Sequence, residues 1–234
     1  MVTFEDLINP LSLDEFYNIY HRKRWCVIKA NDFRKDLFSK TITWQQFSDY
    51  INNDRAVSGL QAILPSGRKL CMEKYNLYKE KKPNWSKKHY YEKKFLHEIW
   101  NNDGSIILTK ASLLTPAISS IAQAVETHFG GAADAHFYCS KSEKSHSFPR
   151  HADLDDNFLV HAHGSVKWSI NNTLENIEGD TTEVELTVGD FLYIPKRLQH
   201  RAFAASRRIS ISVPLAEGLH IKPQDRTVYD FTNN

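Results

Sequence analysis

"FPRHADLDDNFLVHAHG", residues 148–164, sets three histidines and three aspartates around an apolar segment. His151 and Asp153 are one residue apart, and in an extended chain positions i and i+2 project to the same face. Both side chains are therefore placed to grip one ion. The alternation continues downstream, with Asn157, Leu159, His161 and His163 in the odd register and Phe158, Val160 and Ala162 in the even one. An uninterrupted strand would turn one polar face toward the ion and put His161 and His163 on its substrate side. Asp155 and Asp156 read as a solvated turn.

A third ligand comes from "GDFLYIPKRLQH", residues 189–200, where Gly189 and Asp190 make a turn, a strand runs to Pro195, and His200 opens the next strand. Two neutral imidazoles and one carboxylate form a facial triad that leaves open coordination positions on a divalent iron. Open positions point to catalysis rather than to a structural site.

From Ala135 onward the chain reads as short strands separated by turn signals: "AHFYCS", "NFLVHAHG", "VKWSI", "VELTVGDFLYIP", "HRAFA" and "RISISVPL". Such spacing predicts an antiparallel sandwich or barrel. Ahead of it, "SLDE" is a capping box on Ser12 and Glu15, with Leu13, Phe16, Ile19 and Tyr20 at helical spacing. "WCVIKA" follows as a buried strand, and "TWQQFSDYIN" as an amphipathic helix capped by Thr43. Thr115, Pro116 and an Ile118/Ile121/Ala122/Val125/Phe129 stripe that stops at glycines predict a further helix. Residues 65–104 hold Pro65, Gly67, Pro83, Gly104 and many lysines with no clean period, and read as a long excursion.

With 234 residues and 41% hydrophobic content, one domain with embellishments is expected. Residues 1–104 form its helical and insert region, 105–215 its β core and 216–234 a tail. Net charge is +2, yet the span Arg68–Lys94 alone carries +7. That basic, aromatic insert is a candidate contact for RNA or the ribosome, or a lid over the site. The chain lacks a basic start followed by an apolar run, and no stretch approaches the roughly 18 apolar residues that span a bilayer. Cys26, Cys71 and Cys139 are odd in number and widely spaced, which argues against a disulfide framework. An unexported, cytoplasmic protein without membrane contact is expected.

"HADLDDNFLVHAHGSVKW", followed by "GDFLYIPKRLQH" and "SISVPL", resembles the JmjC and cupin-like hydroxylases over roughly residues 105–215. The resemblance implies an α+β fold with a double-stranded β-helix (jelly-roll, cupin-like) core, N-terminal helices and a basic loop-rich insert. It implies the cofactors Fe(II), 2-oxoglutarate and O2, with His151, Asp153 and His200 as metal-ligating catalytic residues. Asn157 and Tyr138 match positions that line the cosubstrate pocket. The implied activity is hydroxylation of an unactivated C–H of a protein, RNA or small molecule, coupled to decarboxylation of 2-oxoglutarate to succinate.

The chain departs from the family at Val166, where many members carry the Lys or Arg that pairs with the distal carboxylate of 2-oxoglutarate. The last strand offers a replacement. "RISISV" alternates Arg208, Ser210 and Ser212 against Ile209, Ile211 and Val213, and Arg208–Ser210 resembles an Arg-x-Ser used by other branches of the superfamily. Lys167 competes if a bulge after Gly164 shifts the register. Val166 also keeps open a metal-binding cupin module without 2-oxoglutarate turnover, or a cupin dioxygenase that takes its substrate directly on iron. Only residues 216–234 follow the last strand, so the C-terminal dimerisation and winged-helix parts of ribosomal-oxygenase relatives are not expected, which favours a monomer.

Overall fold

The computed structural model describes residues 2–52, 60–71, 93–175 and 179–216. Most of the basic segment Arg68–Lys94 lies outside the described residues, as does the tail beyond residue 216.

The N-terminal part is built from short capped helices. Thr3 caps α1 (Phe4–Ile8) and Ser12 caps α2 (Leu13–Glu15), each in a reciprocal capping box with the acidic residue three positions on. α2 does not continue as the regular helix its spacing predicts. It passes into a π-helical turn over Phe16–Tyr20 that buries Phe16 and leaves Ile19 exposed. Strand β1 (Cys26–Ile28) leads to α3 (Asp32–Ser39) and α4 (Trp44–Asn52), whose start is held by reciprocal bonds between Thr43 and Gln46.

Next come β2 (Leu60–Ile63), β3 (Lys69–Cys71), α5 (Lys93–Asn101) and β4 (Ser105–Leu108). α6 (Pro116–Phe129) has the expected Thr115 cap, Pro116 in its first turn, and Gly130 in the left-handed region at its end. The remaining strands are β5 (Ala132–Ala133), β6 (His136–Ser140), β7 (Asp156–His163), β8 (Ser165–Asn171), β9 (Thr181–Thr187), β10 (Phe191–Ile194), β11 (His200–Ala204) and β12 (Arg208–Ala216).

They form two antiparallel sheets. The large one runs β1-β10-β7-β12-β6-β4-β2-β3, with β5 also on β12, and the small one runs β11-β8-β9. Together they make the jelly-roll-like, cupin-type core that the sequence predicts. β1 is the buried strand expected at "WCVIKA", whereas β2 and β3 are not expected from the sequence, and the three extend the large sheet on both sides.

Alternation gives each face its partner. Phe158, Val160 and Ala162 on β7 join Phe137, Cys139, Ile211 and Val213 in a core shared with Phe4, Leu7, Phe38 and Ile121 of the helices. Each large side chain so buried is worth roughly 1.5–3 kcal/mol. On the opposite face Leu159, Leu192 and Ile194 meet Val166, Trp168, Ile170 and Leu186 of the small sheet. The space between the two sheets is where the inward polar residues converge.

Two glycines are required by geometry. Gly164 joins β7 to β8 at φ 70°, and a Cβ there would sit 2.0 Å from the Arg207 carbonyl oxygen. Gly189 turns into β10 at φ 92°, pressed against Lys35 and Ala30 of the N-terminal part.

Candidate metal centre

His151, Asp153 and His200 meet at the mouth between the sheets. Each offers a ligand atom, and these atoms all lie within 4.8 Å of one another. The chain is clipped to bring them there. His151 N–H donates to the His200 carbonyl at 3.1 Å, His200 N–H returns to the His151 carbonyl at 2.8 Å, and Arg197 N–H donates to the Asp153 carbonyl at 2.7 Å. Arg197 adopts φ 67° to close the turn before β11.

The imidazoles are oriented from behind. His151 Nδ1 lies 2.9 Å from the Pro149 carbonyl and His200 Nδ1 lies 2.8 Å from the Leu198 carbonyl. A carbonyl only accepts, so each Nδ1 carries a proton, and Nε2 is the nitrogen left to face Asp153 or an ion. Those Nε2 atoms flank Asp153, at 3.8 Å from Oδ1 for His151 and 3.4 Å from Oδ2 for His200.

Asn157 donates to Asp153 Oδ2 at 2.7 Å and accepts from Ser212 Oγ at 2.8 Å, which fixes the carboxylate plane. Burial by itself would raise the Asp153 carboxyl. The bond and charge of His200, then the charge of His151 and the Asn157 bond, outweigh it and hold the group below the usual range. An ionised carboxylate flanked by two imidazole Nε2 atoms, which give up any proton when they ligate, is a donor set that fits a divalent iron.

Behind the triad a pocket is lined by Tyr138, Ser147, Asn157, Trp168, Arg208 and Ser210, among others. Arg208 is 2% exposed. Its Nε donates to Ser140 Oγ at 3.2 Å, one terminal nitrogen to Ser210 Oγ at 2.9 Å and the other to Ser147 Oγ at 3.1 Å. Among the described residues it pairs with no carboxylate. Burial of the charge lowers its pKa to about 10. Tyr138, also in this pocket, has its phenol raised by burial and then by the Asp153 charge.

Other expectations are corrected. Lys167 is exposed on the outward face of β8, between the buried Val166 and Trp168, and does not reach the pocket. Asp156 is no solvated turn: it is buried at the start of β7 and accepts from the Tyr193 hydroxyl and the Lys196 N–H. His163 leaves the site. Ile209 pairs with His163 and Ser210 with His161, so Ala162 is an extra residue in β7, and the bulge turns His163 outward onto the Ile42 carbonyl and the Trp44 ring. His161 stays inside, with Nδ1 3.1 Å from Ser210 Oγ.

One buried residue gave no signal in the sequence. Arg34 of α3 donates to the carbonyls of Gly189, Leu7, Asn9 and Lys29, tying the N-terminal helices to the turn that precedes β10. Asp190 in that turn accepts from Ala30 N–H at 2.8 Å and from Lys29 at 3.0 Å. An Asn31 cap at the residues before it was the available local cue.

Known proteins share this fold. Residues 114–219 match the family model of the JmjC domain. Among curated proteins, the bifunctional lysine-specific demethylase and histidyl-hydroxylase NO66 of Drosophila grimshawi is 21% identical over 227 residues, which is 90% of this chain and 30% of that protein. YcfD, a ribosomal oxygenase from Escherichia coli, superposes with a TM-score of 0.61 at 17% identity, over 88% of this chain and 51% of its own. Its complex with cobalt and 2-oxoglutarate gives a TM-score of 0.60 at 16% identity, over 88% and 52%. The chain thus spans about a third of NO66 and about half of YcfD.

Proposed function

We propose that this chain, whose residues 114–219 match the JmjC domain model, is a JmjC-family, Fe(II)- and 2-oxoglutarate-dependent oxygenase that hydroxylates a C–H bond of a protein substrate. One pocket holds both the His–Asp–His set and a buried guanidinium that faces no carboxylate of the described residues, and this pairing carries the proposal. A buried charge without a counter-ion is expensive, so a pocket built around one is suited to an anionic ligand.

Iron, 2-oxoglutarate and O2 supply the oxidising chemistry, which ends in succinate and a hydroxylated product. The chain's own residues bind and orient. His151, Asp153 and His200 would hold the ion, with Asn157 keeping the carboxylate in plane. Arg208 would take the distal carboxylate of 2-oxoglutarate, with Ser210, Ser147 and Tyr138 as hydroxyl partners. Leu159, Trp168 and Ala202 line the pocket near His200 and exclude water.

Support for a protein substrate comes from the names of the relatives: YcfD is a ribosomal oxygenase and NO66 a demethylase and histidyl-hydroxylase. RNA and small molecules are the alternatives. A nucleic-acid contact through Arg68–Lys94 falls on residues mostly outside those described. No helix among the described residues is long and apolar enough to cross a membrane. The binding-module alternative drew on Val166, which is buried among apolar neighbours of the small sheet. Arg208 offers the cation that Val166 cannot.

The test is anaerobic addition of Fe(II) and then 2-oxoglutarate, with His200→Ala as control. A visible metal-to-ligand charge-transfer band that the control lacks is the expected result. Iron binding without a band overturns the proposal in favour of a module that does not turn over 2-oxoglutarate.

A further inference from the structure

The pocket floor is a network of hydroxyls whose proton directions can be read from its ends. A guanidinium only donates. Ser140 and Ser210 each accept from Arg208, so each must send its own proton onward. On one arm Ser105 gives its proton to the His146 carbonyl at 2.7 Å, so the 2.9 Å contact between Ser140 and Ser105 runs from Ser140 to Ser105. That arm ends at a backbone acceptor.

On the other arm Ser210 Oγ lies 3.1 Å from His161 Nδ1. The oxygen accepts from Arg208 with one lone pair and has its proton available for Nδ1. In that direction His161 is neutral with its own proton on Nε2, an atom that is buried and has no hydrogen-bond partner among the described residues. The surroundings agree: burial first, then the Arg208 charge, lower this imidazole to about 3. It lies on β7 directly opposite Ser210 of β12, one residue before the bulge that removes His163. Without the bulge two imidazoles would face this cation instead of one.

We propose that His161 is a positioning residue for the cosubstrate: by accepting the Ser210 proton it turns the Ser210 lone pair to Arg208 and holds the guanidinium with its remaining N–H groups toward the pocket. The proposal rests on the reading of this pocket as the 2-oxoglutarate site. It assigns the imidazole no contact with metal or substrate.

Calorimetric titration of 2-oxoglutarate into the Mn(II)-loaded protein tests it, with turnover as a second measurement. His161→Phe is expected to weaken 2-oxoglutarate about tenfold, which corresponds to about 1.4 kcal/mol, and to raise KM with little change in kcat. His161→Gln, whose side-chain carbonyl can accept from Ser210, is expected to restore affinity to within about threefold of wild type. In a Ser210→Ala background His161→Phe should add nothing further. Long-range 1H–15N spectra should show His161 as the Nε2–H tautomer.

An unchanged affinity in H161F, equal losses in H161Q and H161F, or additive losses with S210A each overturn the proposal. If H161F does not fold, the nitrogen spectra carry the test: an Nε2–H tautomer supports the proposal and an Nδ1–H tautomer overturns it. Arg208→Met separates the two levels. If 2-oxoglutarate binds normally in R208M, the cosubstrate reading itself is wrong. If R208M abolishes binding while H161F is silent, only the role of His161 is lost.

Discussion

Two buried arginines divide the molecule between them. Arg34, 0% exposed, sits where the N-terminal helices meet the Gly189 turn, and Arg208, 2% exposed, sits on the floor of the pocket. Arg34 gives four hydrogen bonds, all to backbone carbonyls, and Asp190 adds a favourable charge. Arg208 gives three, all to hydroxyls, and no acid of the described residues faces it. Neither carbonyls nor hydroxyls neutralise a guanidinium, so the difference lies in the Asp190 charge near Arg34 and in the pocket that opens onto Arg208. The first environment makes a clamp and the second suits the receptor proposed for Arg208, whose alternating strand marked it in the sequence while nothing there marked Arg34.

Replacing each by methionine should separate these roles most sharply. Arg34→Met strands the buried carbonyls of Gly189 and Leu7 and the partly exposed ones of Asn9 and Lys29, and since each buried unsatisfied group costs about 1–3 kcal/mol, a loss of about 2 kcal/mol or more is expected in denaturant unfolding. The folded fraction should still bind 2-oxoglutarate normally. Arg208→Met should do the reverse. A stability change within about 1 kcal/mol is expected, because an apolar side chain replaces an unpaired buried charge. Calorimetry should then show at least a hundredfold loss of 2-oxoglutarate affinity, about 2.7 kcal/mol. If both variants lose stability equally and both keep cosubstrate, the contrast between clamp and receptor fails.

Asn157→Ala should have a smaller effect, confined to the metal. It removes the bond that fixes Asp153 while leaving all three ligands, and loss of such an outer partner typically costs 10- to 100-fold in metal affinity. Competition with a chelator measures it, and an unchanged affinity would mean that Asp153 is oriented by its backbone clip alone.

The smallest effect concerns acid. The imidazole of His161 is lowered to about 3, against an ordinary value near 6.5. Between those values the unfolded chain binds a proton that the folded chain refuses, so stability falls as pH drops from about 6.5 toward 3. His161→Gln removes this contribution. Its unfolding free energy should decline less steeply than that of wild type between pH 6 and 4, by up to about 1.4 kcal/mol per unit. Identical slopes would mean that His161 is already protonated in the folded protein.

What sequence reading could and could not reach follows the range of the forces involved. His151 and Asp153 are legible because a two-residue repeat is a property of the strand itself, and His200 because the Gly189–Asp190 turn and Pro195 mark where its strand begins. The caps at Ser12, Thr43 and Thr115 are equally local, each closed within three residues. Lys167 and His163 went the other way. An alternating pattern does not say which face is wet, and a bulge at Ala162 is set by pairing with β12 rather than by the residues of β7 alone.

By itself, then, the sequence determined the strands, the capped helices, the metal triad and an arginine available to an anion, because each is encoded within a few residues. Tertiary structure alone decided that Arg34 is a clamp, that Arg208 is buried in the pocket facing no acid of the described residues, that Asp156 is buried, and that His161 stays inside while His163 leaves. Those outcomes depend on which backbone carbonyls, hydroxyls and strands come to face a side chain from distant parts of the chain, and no local pattern carries that information.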